Sequence, residues 1–347
     1  MSFYYWLLDS EFWILAPGGF FIKYRTLGKS GVEVSVLGFG CMRLPIQRGA
    51  ESEADIFNPE KPVDVHEATR MVEYAVNHGV NCFDTAYGYH GGQSETFLGK
   101  AIAPYRKDVL IASKLPVWMV QSADDFDRIL DEQLQRLDME YLDFYLLHGL
   151  ARHLWEPARE MGALKFLDRI LADGRVKHVG FSFHDDIKIF KEIVDSYEWE
   201  MYQIQYNYYD ENYQAGKEGL KYAAERNIGV IAMEPLRGGK IVDPIPDKIQ
   251  EVWDSAPVRR SAVEWAFRWL WDQPDVTMAL SGMSNMAQVF QNAECRTQNW
   301  IKILITTEQD LHQASLTGIE GIQGIGKTCN RASVYRGKST NEGINRL

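Results

Sequence analysis

Four residues of this chain have side chains suited to chemistry at a carbonyl group. Asp84 and Tyr89 stand five apart in Phe83-Asp84-Thr85-Ala86-Tyr87-Gly88-Tyr89, Lys114 ends Ile111-Ala112-Ser113-Lys114, and His148 ends Leu146-Leu147-His148. A carbonyl carbon that accepts an electron pair leaves negative charge on its oxygen, which then needs a proton from a donor matched to neutral pH. An isolated phenol, with a pKa near ~10, holds its proton too tightly. An ammonium about 4 Å away contributes roughly 4 kcal/mol at an effective dielectric near 20, equivalent to as much as about three pK units. On this reading Tyr89 is the proton donor and Lys114 activates it. Asp84 keeps Lys114 charged and aimed, and His148 donates a hydrogen bond that aligns the substrate oxygen.

Taken singly, these residues have ordinary explanations. Asp favours strand-to-loop corners, Tyr89 reads as a half-buried aromatic, and His148 is an even choice. Lys114 is harder to set aside, because a lysine ending an apolar strand must be paired or functional. A second chemistry is open to it, attack on a carbonyl as a Schiff-base nucleophile, but a neighbouring Asp84 keeps the amine protonated. A third reading is a cofactor-sensing partner subunit that binds without turning over.

The elements around these residues form a repeating pattern. From Val36 onward short apolar runs alternate with longer amphipathic stretches, as strands alternate with helices around a parallel sheet. The strand candidates are Val36–Phe39, Asn81–Asp84, Val109–Ser113, Asp143–Leu147, His178–Ser182, Met201–Gln205, Gly229–Met233 and Val276–Ser281, with helical spacing in Val63–His78, Phe126–Leu137, Gly216–Arg226 and Arg259–Trp271. Eight such units predict an α/β fold, the closed (β/α)8 TIM barrel, whose active site lies at the carboxyl ends of the strands. A doubly wound sheet would place G-x-G-x-x-G after its first strand, whereas Gly38-Phe39-Gly40 runs into Cys41-Met42-Arg43. Tyr24–Leu27 and Val32–Ser35 flank Gly28-Lys29-Ser30-Gly31 and predict an N-terminal β-hairpin plugging the floor. The expected organisation is an extension outside the fold over residues 1–22, the barrel over 23–294 and an atypical tail over 295–347.

Composition narrows the function classes. A net charge of -11 with no Lys/Arg-rich run excludes a nucleic-acid partner. Met1 to Phe21 holds no Lys or Arg and is broken by Asp9 and Glu11, so it lacks the basic flank and long apolar core expected of a signal peptide. Cys41, Cys82, Cys295 and Cys329 lie far apart without a C-x-x-C pair, which predicts no metal site and fits a reducing, cytoplasmic setting. Gly321-Ile322-Gln323-Gly324-Ile325-Gly326-Lys327-Thr328 fits a phosphate-cradling loop in spelling. No buried strand precedes it, however, and too little chain follows to build a nucleotide-hydrolysing domain. Nothing in the sequence sets the oligomeric state.

Together the Asp84/Tyr89 segment, the following Gly92-Gln93-Ser94-Glu95, the Lys114 strand and the His148 strand resemble the aldo-keto reductase family over about Lys23 to Glu294. The resemblance implies reduction of a small-molecule aldehyde or ketone with a nicotinamide dinucleotide bound in extended form. It assigns Asp84, Tyr89, Lys114 and His148 as the catalytic set and Met42 to the cofactor side. Ser182 and Gln203 would hold the carboxamide, and Met233 would lie against the ring. Glu234, Pro235, Leu236, Gly238 and Lys240 fall in a pyrophosphate loop, and Gly282, Ser284, Gln288 and Asn292 on the adenosine side. Phe183-His184 stands where many relatives carry Asn after the serine, and the adenosine side lacks the cations that often grip a 2′-phosphate. NADPH is expected nonetheless, with Arg237 and Lys240 compensating, and NADH is not excluded. The wording around Phe181–His184 and Gly282–Asn285 is similar to a microbial subgroup that often ends in a ferredoxin-like module. That module needs closely spaced thiolates, which this chain does not have.

Overall fold

Side chains on a strand alternate between its two faces, so a run that is apolar throughout must be buried on both. A computed structural model describes the backbone of residues 5–8 and 11–16 and residues 20–47 and 61–295, with side chains from residue 23 onward. The strands are β1 (Tyr5–Leu8), β2 (Glu11–Ala16), β3 (Phe20–Thr26), β4 (Glu33–Ser35), β5 (Leu37–Gly40), β6 (Cys82–Asp84), β7 (Leu110–Leu115), β8 (Leu142–Leu150), β9 (Val176–Phe183), β10 (Met201–Gln205), β11 (Gly229–Met233) and β12 (Met278–Gly282). Strands β5 to β12 are parallel and close on themselves as an eight-stranded barrel, the TIM architecture expected from the sequence. Every apolar run named above supplies one strand, its ends shifted by at most three residues.

The hairpin of β3 and β4 is present and seals the floor. Its turn can approach the barrel only because residue 28 is glycine: φ is +50° there, and a Cβ would lie 2.3 Å from Gly229 N. Leu27 and Val34 of the hairpin join Cys82, Ala112, Phe144, Leu146, Met201, Ile231, Met278 and Leu280 in the interior cluster. The segment expected to lie outside the fold contributes β1 and β2, which extend the hairpin into a four-stranded antiparallel sheet. The reason is geometric, since the free edge of β3 offers unpaired backbone groups to the strand before it. Residues 296–347, including Gly321–Thr328, lie outside the described residues.

Helices cover the outside: α1 (Val65–Asn77), α2 (Gln93–Ile102), α3 (Ala123–Leu137), α4 (Arg152–Glu160), α5 (Ala163–Ala172), α6 (Ile187–Val194), α7 (Gly216–Ala224), α8 (Asp247–Asp254), α9 (Ala262–Trp271) and α10 (Met286–Glu294). Helix α3 shows why they stay. Phe126, Ile129, Leu130, Gln133, Leu134 and Leu137 form one buried face at three- and four-residue spacing. Among the described residues no helix is long and apolar enough to cross a membrane.

Strand parity then fixes the mouth. Cys82, Ala112, Leu146, Met201 and Ile231 face the interior. Two residues further along the same strands, Asp84, Lys114, His148, Gln203 and Met233 occupy the same face one layer higher, at the carboxyl ends.

Candidate active site

Lys114 is the hub of the polar layer at the mouth. Its Nζ forms an ion pair with Asp84 Oδ1, donates to the Thr85 carbonyl at 2.8 Å and lies 3.4 Å from the Tyr89 hydroxyl. Gln203 Nε2 donates to the other Asp84 oxygen at 2.7 Å. Lys114 is 1% exposed and Asp84 3%. Burial acts to strip the lysine of its proton, but the charge of Asp84 and then the Tyr89 hydroxyl outweigh it, so the amine is held above its ordinary value as an ammonium.

Tyr89 behaves differently from the sequence expectation. Burial pushes the phenol up, Lys114 pulls it down and Asp84 pushes it up again, and the net direction is upward. The ammonium limits a rise caused by desolvation and does not bring the phenol toward neutrality. His148 is driven well below its ordinary value, first by burial and then by Lys114 and His184, so its imidazole is neutral. Its ring stands edge-on to Tyr89, with centroids 5.9 Å apart. Its Nδ1 is buried with no hydrogen-bond partner among the described residues.

The strand carrying His148 is longer than its apolar run. After Leu147 the pairing with β9 shifts, and Gly149 (φ +64°) turns its N–H onto Ser182 Oγ at 2.7 Å. Such bulges re-aim side chains beside reactive sites. Tyr89 sits on a tight loop in which His90, Gly91 and Gly92 all have positive φ. His90 Nε2 accepts from Leu44 N at 3.2 Å, which pins that turn.

A family model described as the aldo/keto reductase family matches residues 36–299. The chain belongs to the aldo/keto reductase family. Among its relatives, a 6-dehydroglucose reductase of Novosphingobium aromaticivorans is 26% identical over 315 residues, spanning 81% of this chain and 94% of that one. An L-galactose dehydrogenase of Arabidopsis thaliana is 26% identical over 309 residues, covering 80% and 89%. A solved aldo-keto reductase of Bacillus halodurans in its holo form superposes with a TM-score of 0.64 at 25% identity, over 78% of this chain and 90% of that one. The protein is thus an oxidoreductase of a family that uses nicotinamide cofactors and carbonyl substrates.

For this aldo-keto reductase the cofactor-side expectations separate into three groups. Met42, Met233, Glu234, Leu236, Gly238, Lys240, Gly282 and Ser284 are partly or fully exposed on loops and strand ends at the mouth, and Gln288 is exposed in the first turn of α10. Ser182 and Gln203 are buried there, engaged with Gly149 N and Asp84. Pro235 is buried, and Asn292, 2% exposed, donates its amide to Ser281 Oγ at 3.1 Å, a packing role at the end of β12. The mouth fits a dinucleotide on two observations. A Cβ on the exposed Gly282 would lie 3.2 Å from the Arg43 side chain, so the glycine leaves a cradle beside a cation. Glu234, Arg237, Gly238 and Gly239 all have positive φ, the backbone twist that builds concave anion seats. Arg237 is paired with Asp210 at 3.2 Å and lies over Tyr209, whereas Lys240 is exposed.

Among the aromatics near the mouth, Trp118 lies 5.1 Å from the His148 ring and is 52% exposed, and Tyr209 is also exposed. Tyr87 instead bonds Glu132 through its hydroxyl, and the Tyr208 hydroxyl bonds the Ile241 carbonyl. Sequence reasoning did not single out the Thr85 carbonyl, Arg43 or Gln133. A backbone acceptor leaves no mark in the sequence, and spacing places Gln133 on the buried face of α3 without showing what it bonds.

Proposed function

We propose that this aldo-keto reductase reduces an aldehyde or ketone to an alcohol, with Tyr89 delivering the proton. The observation that carries the reading is the Lys114 ammonium, paired to Asp84 and 3.4 Å from the Tyr89 hydroxyl, at the open end of the barrel. When bound, the reduced nicotinamide cofactor supplies the hydride. The chain's own groups do the remaining work. His148, neutral, presents an N–H to the substrate oxygen and so polarises it without competing for its proton. Tyr89 releases its proton as negative charge builds on that oxygen, and Lys114 stabilises the phenolate left behind. Asp84 and Gln203 keep Lys114 in place. A lysine held charged in this way is a poor Schiff-base nucleophile.

The cofactor form proposed is NADPH. In a protein of net charge -11, Arg43 and Arg237 at the mouth are already paired, with Glu234 at 3.9 Å and Asp210 at 3.2 Å, so the preference for the more anionic dinucleotide rests on the exposed Lys240. Paired NADPH and NADH titrations followed by tryptophan quenching decide between the two forms. For the substrate, the exposed face of Trp118 beside His148 suits a ring, and the names of two relatives are those of sugar-acting enzymes. A panel of aldoses, keto-sugars and aromatic aldehydes tests that choice.

Tyr89→Phe is the deciding variant. Loss of a positioned acid is expected to lower kcat at least about a hundredfold, with NADPH affinity by tryptophan quenching nearly unchanged. Retention of most of kcat would remove Tyr89 from the role.

A further inference from the structure

A second polar network lies behind the mouth, on the outer side of β7, and its members Glu95, Ser113, Gln133 and Tyr145 are fully buried. Glu95 lies in the first turn of α2 and is 0% exposed. One of its oxygens accepts from Ser113 Oγ and from Gln133 Nε2, both at 2.6 Å, and the other lies 3.3 Å from Arg136 Nη1. Gln133 also donates to Ser113 Oγ at 2.8 Å and to the Lys114 carbonyl at 3.1 Å, while its own oxygen accepts from the Tyr145 hydroxyl at 2.6 Å. A buried carboxylate surrounded by this many donors is costly to hold in place, and a core of apolar side chains would serve packing as well.

What the network joins is the clue to its use. Arg136 Nη1, while facing Glu95, donates to the Tyr87 carbonyl at 3.1 Å, and its guanidinium lies 4.0 Å from the centre of the Tyr87 ring. Tyr87 is two residues before Tyr89 on the same tight loop. On its other side Glu95 grips Ser113, the residue before Lys114. A single carboxylate therefore links the loop that carries the proton donor to the strand that carries its activator. Helix geometry makes this possible. Gln133 and Arg136 lie three apart on the face of α3 turned to α2, and Gly99 lets the two helices meet so closely that a Cβ there would lie 2.1 Å from Leu137 O.

We propose that Glu95, acting through Arg136, is a positioning residue that sets the separation between the Tyr89 hydroxyl and the Lys114 ammonium. The proposal rests on the assignment of Tyr89 as proton donor. Loss of the Glu95 charge frees Arg136 from one of its anchors and slackens its hold on the Tyr87 carbonyl. The loop then drifts relative to Lys114, while the cofactor-side loops after β11 and β12 are untouched.

The test uses the full-length chain. Glu95→Gln is expected to lower kcat by about tenfold to a hundredfold, the cost of a misplacement near 1 Å, with KM and the NADPH dissociation constant from tryptophan quenching each within about threefold. The solvent deuterium isotope effect on kcat is expected to increase, because a displaced donor makes proton transfer limiting; loss of fold stability alone would not move it. Arg136→Gln is expected to behave alike. The double variant should be no slower than the slower single, because the two residues act as one unit. If Glu95→Gln does not fold, Arg136→Gln carries the same three readouts from a partly exposed position. The proposal falls if kcat stays within twofold, if the two losses add, or if kcat falls with an unchanged isotope effect. Should Tyr89→Phe remain active, the assignment of the donor fails first. Should Tyr89→Phe be inactive while Glu95→Gln is unaffected, only the positioning role is lost.

Discussion

Replacing Lys114 by Met removes one charge from the mouth while nearly conserving volume. The ammonium lies 3.4 Å from the Tyr89 oxygen, and at an effective dielectric near 20 its attraction for a phenolate is about 5 kcal/mol. The opposing charge of Asp84 cancels part of this, and the remainder makes the phenol a weaker acid in the variant. Partial proton transfer in the transition state converts that into a loss of kcat between about tenfold and a thousandfold. The substitution also strands Asp84, 3% exposed, without its counterion, and an uncompensated buried charge costs about 3–5 kcal/mol of stability. The two effects separate in Asp84→Asn/Lys114→Met, which removes both charges. Steady-state carbonyl reduction and urea denaturation should show the double variant regaining most of the stability and none of the rate. Recovery of kcat in the double variant, or kcat within threefold of wild type in Lys114→Met, would refute electrostatic activation of Tyr89.

Two further outcomes concern the scaffold of the site. His90 is fully buried and burial lowers its pKa to about 4; its unfolded value is about 6.5, so the folded state binds fewer protons between the two. Stability is therefore expected to be undiminished above about pH 6.5 and to fall by about 3 kcal/mol as pH drops to about 4. Urea midpoints across that range check this, and His90→Gln should flatten the slope. Gly99→Ala would gain helix propensity at an exposed site, but here the new Cβ meets the Leu137 backbone at 2.1 Å. A loss of about 1–3 kcal/mol is expected in urea denaturation, and a gain would contradict the close approach of α2 and α3.

The barrel was legible because it rests on two short-range regularities, the alternation of strand residues and the spacing of helix faces. The runs at Met201–Gln205 and Gly229–Met233 match their strands residue for residue. The run at Asp143–Leu147 stops short because Gly149 breaks the pairing before Leu150 resumes it, and a bulge leaves no mark in an apolar pattern. The N-terminal strands β1 and β2 were missed for a different reason. Their pairing depends on a free edge of β3, a property of the folded sheet and of no local segment.

The same distinction governs the site. Asp84, Lys114 and His148 were readable because each ends an apolar run, where an ionisable side chain is out of keeping with its neighbours, whereas Gln203 came only from the family resemblance. The direction of the Tyr89 pKa was not readable, because proximity of an ammonium can be guessed from sequence while the depth of burial cannot, and burial wins. Glu95 and Gln133 are harder still. Glu95 stands in the first turn of α2, where an acidic residue passes for a solvent-facing partner of the helix dipole, and Gln133, although its spacing puts it on the buried face of α3, gives no sign of which groups it meets there. Residues that touch substrate must emerge from the barrel at one end, so the fold announces them. Residues that hold those in position are buried between layers, and three-dimensional packing alone distinguishes them from the core.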